Sequence, residues 1–355
     1  MGSMEPTDRD HAGRMDRRTF LRGAAVGLGL AATSLAGVRV WRERHGSTQW
    51  DAAAFPPPGE GRVAVLHAAS YDDGLQEKVL DGLRAIGADV RGAAVLLKPN
   101  FVEYDPGTAI NTDPRLVVAA ASALRRLGAA SVTVGEGPGH RRDTQYVMTR
   151  SGLLDALREE DVPFVDLNTD ALVARRLRTS FTDLGALWLP RSVADADIVV
   201  SMPKMKTHHW AGVTLSLKNC FGCVPGRVYG WPKNALHWAG LEEAIVDVAA
   251  VVRPDLAIVD GIVGMEGNGP ISGTPIASNV LVFGNDPVAT DVVAAKLMGF
   301  DPTRVPHLAE AGRFLGQGDL GRIRMEGEDD GRLAKDFAVL PAFRSMKIEG
   351  AVGPA

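Results

Sequence analysis

The residues best suited to chemistry are concentrated between Lys204 and His237, a segment rich in lysine, histidine and tryptophan in a chain of net charge -4. Lysine supplies positive charge for a carboxylate or phosphate, and histidine exchanges protons near neutral pH or ligates metals. This composition predicts an acid–base site that acts on a small anion. The residues predicted to be catalytic are His208, His237, Lys206 and Lys218.

Other polar residues that follow predicted strands are expected to bind the substrate. Lys98-Pro99-Asn100 and the glycine-rich run Gly135–His140 each follow an apolar, β-branched segment. Glycine lets the backbone approach a ligand closely, and a turn into a helix directs amide N–H groups at an anion. A tight turn without a ligand and a solvated basic loop are the alternatives. The predicted substrate-binding residues are Lys98, Asn100, Gly137, Lys204, Thr214, Asn219 and Lys233.

Carboxylates beside these segments are compatible with a divalent metal as cofactor. Asp260 and Glu266 flank a glycine-rich stretch, and together with His208 they are the predicted ligands. The same carboxylates are also compatible with ion pairs to the lysines. Asp286-Pro287 instead has the pattern of a helix N-cap followed by proline in the first turn.

The cysteines of the chain form one pair, Cys220-Phe221-Gly222-Cys223. A CxxC pair is found as a disulfide, as a redox couple, as half of a metal site or as two buried thiols. The spacing to the nearby histidines fits no zinc finger, so the role of the pair stays open.

The elements that must position these residues follow an alternating pattern. The predicted strands are Val63–His67, Ala94–Lys98, Ser131–Gly135, Phe164–Leu167, Asp197–Ser201, Leu256–Asp260 and Val280–Phe283. The predicted helices are Asp73–Ile86, Pro114–Leu127, Thr144–Leu157, Leu241–Val252 and Pro287–Met298. This alternation predicts an α/β fold with a mainly parallel sheet flanked by helices, in one domain or two coupled lobes. Ligands bind beyond the carboxyl ends of such strands, so five polar strand ends are expected to meet at one rim.

The N-terminus has the pattern of a twin-arginine signal peptide. Arg17-Arg18 precede Phe20-Leu21, and an uncharged run extends from Gly23 to Val38. We expect a signal in residues 1–38, a linker in 39–61, the α/β domain in 62–316 and a C-terminal extension packing on it in 317–355. The twin-arginine export machinery is then a partner, and the protein works in the periplasm or outside the cell, tethered to the membrane if uncleaved.

The ordered motifs of the mature chain resemble the domain-of-unknown-function family 362. The motifs that carry the resemblance are Lys98-Pro99-Asn100, Gly135–Pro138, Pro203–His208, Thr214–Asn219, Val259–Gly261, Glu266–Pro270 and Asp286–Ala289. Some members of that family resemble iron–sulfur proteins with clustered cysteines, whereas this chain has two cysteines. A four-cysteine cluster from one chain is therefore excluded. A more distant resemblance, in lobed architecture and Lys/His chemistry, is to the nickel-pincer lactate racemase.

Three functions are compatible with these features. The first is an exported enzyme that acts on a small anion through the Lys/His cluster, with or without a metal, by hydrolysis, elimination or isomerisation. The second is an exported anion- or metal-binding protein without catalysis, and the third is a CxxC redox or iron–sulfur-related protein. The chain is 23% charged with acids and bases nearly balanced, so nucleic acid is not an expected partner. The sequence indicates no oligomeric state.

Overall fold

The computed structural model describes residues 48–72, 74–140, 143–328 and 330–349. The chain divides into two units, Met1–Thr48 and Gln49–Ala355, and the second is the α/β domain. The predicted signal peptide lies outside the described residues, as does the first part of the predicted linker, residues 39–47.

The domain contains strands β1 (Gly61–His67), β2 (Ala94–Pro99), β3 (Ser131–Glu136), β4 (Phe164–Asp166), β5 (Leu172–Arg176), β6 (Ala186–Pro190), β7 (Ile198–Met202), β8 (Lys204–His208), β9 (Gly212–Thr214), β10 (Leu256–Glu266), β11 (Thr274–Gly284) and β12 (Ile323–Gly327). The main sheet has the order β12-β1-β11-β10-β7-β2-β3-β4, with β8 beside β10 and β9 beside β8. Neighbours from β10 through β7, β2 and β3 to β4 are parallel, as are β1 and β12. The expectation of an α/β fold with a mainly parallel sheet is confirmed.

The helices are α1 (Leu75–Ala85), α2 (Pro114–Arg126), α3 (Thr144–Arg150), α4 (Leu153–Glu159), α5 (Arg191–Ala194), α6 (Ser216–Asn219), α7 (Gly226–Tyr229), α8 (Asn234–Trp238), α9 (Leu241–Val252), α10 (Pro287–Leu297), α11 (Pro306–Ala311) and α12 (Asp330–Leu333). They cover both faces of the sheet. One core includes Leu83 of α1 and Leu116 of α2, and the other includes Val248 of α9 and Val293 of α10. Burial on both faces explains the continuous apolar run Ala94–Leu97 of β2.

The segment predicted as one helix, Thr144–Leu157, forms two. Helix α3 ends at Arg150, and Gly152 has a φ of 79° before α4 begins. Glycine adopts this left-handed conformation at little cost, so it breaks the helical path. By contrast, α2 begins as its sequence predicts, because Asp113 Oδ1 accepts a hydrogen bond from the amide N–H of Arg115 at 2.9 Å.

Strand β11 corrects the expectation that five strand ends meet at one rim. It pairs antiparallel with both β1 and β10, so its carboxyl end lies at the opposite edge of the sheet. There Asp286 caps α10 by accepting from the N–H groups of Val288 and Ala289 at 2.9 and 3.1 Å, as the N-cap interpretation predicted. Strand β10 extends to Glu266, so the Gly264 stretch is strand rather than a loop after the strand.

The segments before and after the predicted α/β domain both pack against it. Part of the segment predicted as linker is in contact with the domain, since the Trp50 ring stacks on Phe314 at 4.6 Å and Phe55 is buried. The C-terminal extension contributes β12, whose Ile323 lies opposite Gly61 of β1. Among the residues described, none of the helices combines the length and apolar character needed to span a bilayer.

Candidate functional site

The carboxyl ends of β2 and β3 hold a buried ion pair. Lys98 Nζ lies 2.8 Å from Glu136 Oε1, and both side chains are at most 2% exposed. The same Nζ also donates to the carbonyl oxygen of Pro99 at 2.6 Å and, more weakly, to Asn219 Oδ1 at 3.4 Å. An ammonium has three donors, so Lys98 has none left for a substrate.

Gly222, in the 3₁₀ turn Cys220–Cys223, packs directly on this pair. A Cβ at Gly222 would overlap Lys98 Nζ and lie 2.8 Å from Glu136 Oε1. The Gly137 N–H donates to Glu136 Oε1 at 2.7 Å. Gly137 therefore fixes the Glu136 carboxylate instead of presenting its amide to an anion.

The two asparagines of the predicted site meet beside this pair. Asn219 Oδ1 accepts from Asn100 Nδ2 at 3.2 Å, and Asn219 Nδ2 donates to the Lys98 carbonyl oxygen and to Ser201 Oγ at 2.9 and 3.0 Å. Asn219 is thus fully engaged. Asn100 Oδ1 and Thr214 Oγ1 are buried without a hydrogen-bond partner in the described part of the chain. These two atoms have capacity for a ligand or a water.

Lys204 and Asp260 form a second, saturated pair. Lys204 Nζ donates to Asp260 Oδ2 at 2.7 Å, to the Tyr71 hydroxyl at 3.0 Å and to the Val263 carbonyl oxygen at 3.0 Å. The Tyr71 hydroxyl donates to Asp260 Oδ1 at 2.6 Å. With all three ammonium donors used and both carboxylate oxygens engaged, the pair is built as a structural element and not for binding a substrate.

Lys206 is fully buried with an incomplete set of partners. Its Nζ donates to the Ile110 carbonyl oxygen at 2.6 Å and reaches the Pro270 carbonyl oxygen at 3.4 Å. No carboxylate of the described ranges lies within ion-pair distance of it. Burial, followed by repulsion from Lys204 and Lys218, holds the pKa of Lys206 well below its usual range.

Lys233 sits in a strained backbone position at the start of α8. Its φ is 69°, a conformation that costs ~1 kcal/mol or more for a non-glycine residue. Its Nζ donates to Asn168 Oδ1 at 3.0 Å and to the Val224 carbonyl oxygen. Burial lowers the pKa of Lys233 to about 7.

Of the described lysines in this cluster, Lys218 has the most free donors. It is partly buried on α6, its Nζ lies 3.9 Å from the centre of the Phe221 ring, and it makes no hydrogen bond to any described residue. Burial lowers its pKa to about 8, so it is mostly protonated at neutral pH. A half-buried ammonium with three unused N–H groups is a suitable group for holding an anion.

The three neighbouring histidines differ in which nitrogen carries the proton. His208 Nδ1 accepts from the N–H groups of Trp210 and Ala211 at 3.1 and 3.2 Å, so its Nε2 carries the proton. His237 Nδ1 instead donates to the Lys233 carbonyl oxygen at 3.0 Å, and His209 Nδ1 to the Gly269 carbonyl oxygen at 2.7 Å. His208 is therefore a donor, whereas His237 and His209 have a free lone pair on Nε2.

All three imidazoles are neutral at pH 7. Burial lowers the pKa of each, and the positive charge of Lys218 lowers them further. His237 also contacts the Phe221 ring at 5.9 Å, and Trp210 contacts both His209 and His237. Lys218, Phe221 and His237 are thus one contiguous group, with His208 in electrostatic range.

The predicted metal ligands do not fit a metal. Asp260 is engaged by Lys204 and Tyr71, Glu266 Oε2 accepts the Ala338 N–H at 2.8 Å, and His208 Nδ1 accepts two amides. Within the described ranges, no three His, Cys, Asp or Glu side chains are grouped as metal ligands. Asp260, Glu266 and His208 therefore do not form one ligand set.

Cys220 and Cys223 are free, buried thiols in the 3₁₀ turn. Burial raises the pKa of Cys220 well above its usual range and that of Cys223 to about 12. Thiolates are the reactive form, so neither cysteine is activated in this state.

Several residues of the site are absent from the predicted set, among them Tyr71, Asn168, His209 and Phe221. Tyr71 and Asn168 follow the carboxyl ends of β1 and β4, where the strand-end rule would have found them. His209 is distinguished from His208 by its hydrogen bond and its greater exposure, and Phe221 by the position of Lys218 above it.

A cavity of about 670 Å³ lies at the other edge of the sheet, away from these residues. It is lined by residues that precede β7 and β10, such as Asp197 and Asp255, and by Asp286 after β11. The lysine and histidine cluster is not part of it.

Residues 95–296, more than half of the chain, match the family described as Domain of unknown function (DUF362). The chain belongs to this family. A relative, the thylakoid-associated protein sll1697 of Synechocystis sp. (strain ATCC 27184 / PCC 6803 / Kazusa), is 32% identical over 263 residues, which cover 71% of this chain and 79% of the relative. The DUF362 match includes every predicted site residue.

Two solved structures are similar at lower sequence identity. The lactate racemase apoprotein of Thermoanaerobacterium thermosaccharolyticum is 14% identical with a TM-score of 0.45, over 68% of this chain and 58% of that one. A Thermotoga maritima protein is 13% identical with a TM-score of 0.32, over 62% of this chain and 57% of that one. The DUF362 chain thus spans less than two thirds of either protein.

Proposed function

We propose that this DUF362 protein is an enzyme that holds a small anion at Lys218 and moves a proton on it through His237. The observation that carries the proposal is the Lys218 ammonium, which has no hydrogen bond in the described part of the chain and adjoins an imidazole with a free Nε2. The cluster also contains Lys206 and Lys233, both buried without an ion-paired carboxylate among the described residues.

Each residue has one role in the proposed mechanism. An oxygen of the anion accepts from Lys218 Nζ–H and from His208 Nε2–H. His237 Nε2 takes a proton from the substrate or from a water, while its Nδ1–H stays bonded to the Lys233 carbonyl oxygen and fixes the ring. The positive charge of Lys218 stabilises the negative charge that develops. Elimination, isomerisation and hydrolysis all begin with such a step.

Deuterium incorporation tests the proton transfer directly. Proton NMR in D₂O follows a panel of small carboxylates and phosphates incubated with the full-length chain. At least one compound should exchange a carbon-bound proton or be hydrolysed, and His237→Gln should lose that reaction while its binding of the compound stays unchanged. His209→Gln is the matched control, because His209 has the same hydrogen-bond pattern beside Trp210 but does not contact Phe221. Exchange that survives in His237→Gln contradicts the assigned role.

The second candidate is an anion-binding protein without catalysis, which the buried lysines support. It predicts Lys218-dependent binding with no exchange or turnover for any compound. Deuterium exchange and ligand binding, measured on the same compounds, therefore separate the enzyme from the binding protein.

We also propose export by the twin-arginine pathway. Arg17-Arg18 and the apolar run after them support it, and the name of the thylakoid-associated relative is compatible with a protein located at or beyond a membrane. Residues 1–60 fused to a reporter enzyme should direct it out of the cytoplasm, and Arg17→Lys/Arg18→Lys should retain it there. Export of the reporter that is unchanged by the two substitutions contradicts the proposal.

A further inference from the structure

Trp210 lies between the two imidazoles that have a free Nε2, yet 56% of it is exposed. Its ring is 4.5 Å from that of His209 and 5.2 Å from that of His237, at interplanar angles of 83° and 72°. Its backbone N–H donates to His208 Nδ1 at 3.1 Å, so the residue is tied to the histidine cluster at both its backbone and its ring.

A chain of ring contacts connects Trp210 to the anion-holding lysine. Trp210 contacts His237, His237 contacts Phe221 at 5.9 Å, and Lys218 Nζ lies 3.9 Å above Phe221. The free indole surface therefore adjoins both the proposed base and the proposed anion site. Indole is the largest aromatic side chain, and leaving it exposed forgoes the burial that stabilises most tryptophans.

We propose that the substrate joins its anionic group to a planar ring, and that Trp210 stacks on this ring. The inference rests on the proposed function and narrows the substrate class to aryl or heteroaryl carboxylates and phosphates. Aromatic pairs add ~0.5–1.5 kcal/mol beyond the area they bury, which corresponds to roughly a 2–12-fold gain in affinity. Trp210 is then a specificity-determining residue, while Lys218 supplies the interaction common to all anions.

A calorimetric comparison of benzoate with acetate tests the inference on the full-length chain. The wild type should bind benzoate about fivefold more tightly than acetate. Trp210→Ala should bind the two equally, and Trp210→Phe should retain most of the preference. Trp188→Ala is the matched control, because Trp188 is 48% exposed but lies on β6, in the separate two-stranded sheet.

The outcomes separate this inference from the proposed function. Acetate that binds in a Lys218-dependent manner, with no benzoate preference or with a preference that survives in Trp210→Ala, overturns the stacking role alone. Acetate and benzoate that both fail to bind, or that bind Lys218→Ala as well as the wild type, overturn the anion site and the stacking role together.

Discussion

Lys218 Nζ stands 3.9 Å from the centre of the Phe221 ring, three residues further along the chain, and the ring face takes the place of a hydrogen-bond acceptor. Phe221 is buried, so the face of its ring, and not solvent, contacts the ammonium on this side. A ring face attracts an ammonium without using its N–H donors. Lys218 is thus held in place while its three donors stay available.

Removing the Phe221 ring should lower the pKa of Lys218 further, because the ring stabilises only the charged form. In Phe221→Leu, calorimetry should show acetate binding weakened about threefold or more at pH 8 and much less at pH 6, where the lysine stays protonated. Phe314→Leu, in a separate core cluster, should leave the acetate affinity unchanged at both pH values. Equal losses at both pH values would contradict a role through the lysine charge.

The affinity for acetate should fall as pH rises through about 8. The folded pKa of Lys218 is lowered to about 8 by burial, so the binding-competent ammonium is present below that pH and lost above it. Lys218→Arg should bind acetate with little pH dependence up to pH 10, because guanidinium stays protonated. A wild-type affinity that is constant between pH 6 and pH 10 is the result that this account cannot accommodate.

The Lys204–Asp260 pair should matter for stability and not for the chemistry. Lys204→Met leaves a buried carboxylate without its cation, which should reduce the free energy of unfolding by ~3–5 kcal/mol in urea titrations. Lys204→Met/Asp260→Leu should recover much of that loss. Arg84→Ala, which breaks an exposed pair with Asp81, should cost about 0.5 kcal/mol or less.

The opposite result for Lys204→Met would restore it to the substrate-binding set. In that result, Lys204→Met has the same free energy of unfolding as the wild type but no longer binds acetate.

The thiols of Cys220 and Cys223 should be unreactive in the folded protein. Their raised pKa values and burial keep them protonated, so a disulfide reagent should label them only after unfolding in denaturant. Cys220→Ala/Cys223→Ala should retain acetate binding and any deuterium exchange. Rapid labelling of the native protein, or activity that requires both thiols, would instead favour the CxxC redox function.

The order of strands and helices followed from the sequence because buried parallel strands are continuous apolar runs and helices are amphipathic. The direction of β11 did not follow, since Val280–Phe283 has the same composition as a parallel strand. Its partner β1 comes from the start of the domain, whereas its other partner, β10, immediately precedes it in the chain. The short strand β8 was missed because Lys204, Lys206 and His208 occupy it, although all its residues are buried. Strand β9 was missed because it is only three residues long.

The sequence predicted the site as a set of residue types. The structure distinguishes the individual residues by how many of their hydrogen-bond donors and acceptors already have partners. Lys98, Lys204 and Lys218 are equivalent in sequence terms, yet the first two have three partners each and the third has none among the described residues. The proton positions of His208 and His237 differ for a similar reason. Each depends on whether the nearest backbone group is an N–H or a carbonyl, which sequence does not reveal.

The most direct test of the anion site is calorimetric titration of the full-length chain with acetate at pH 7. Lys218→Ala should weaken binding roughly 10–100-fold, the loss expected for a charge-assisted hydrogen bond. Lys335→Ala, which removes an exposed lysine outside the cluster, should bind as the wild type does. Acetate affinity that is the same in Lys218→Ala and the wild type would contradict the central claim that Lys218 holds the anion.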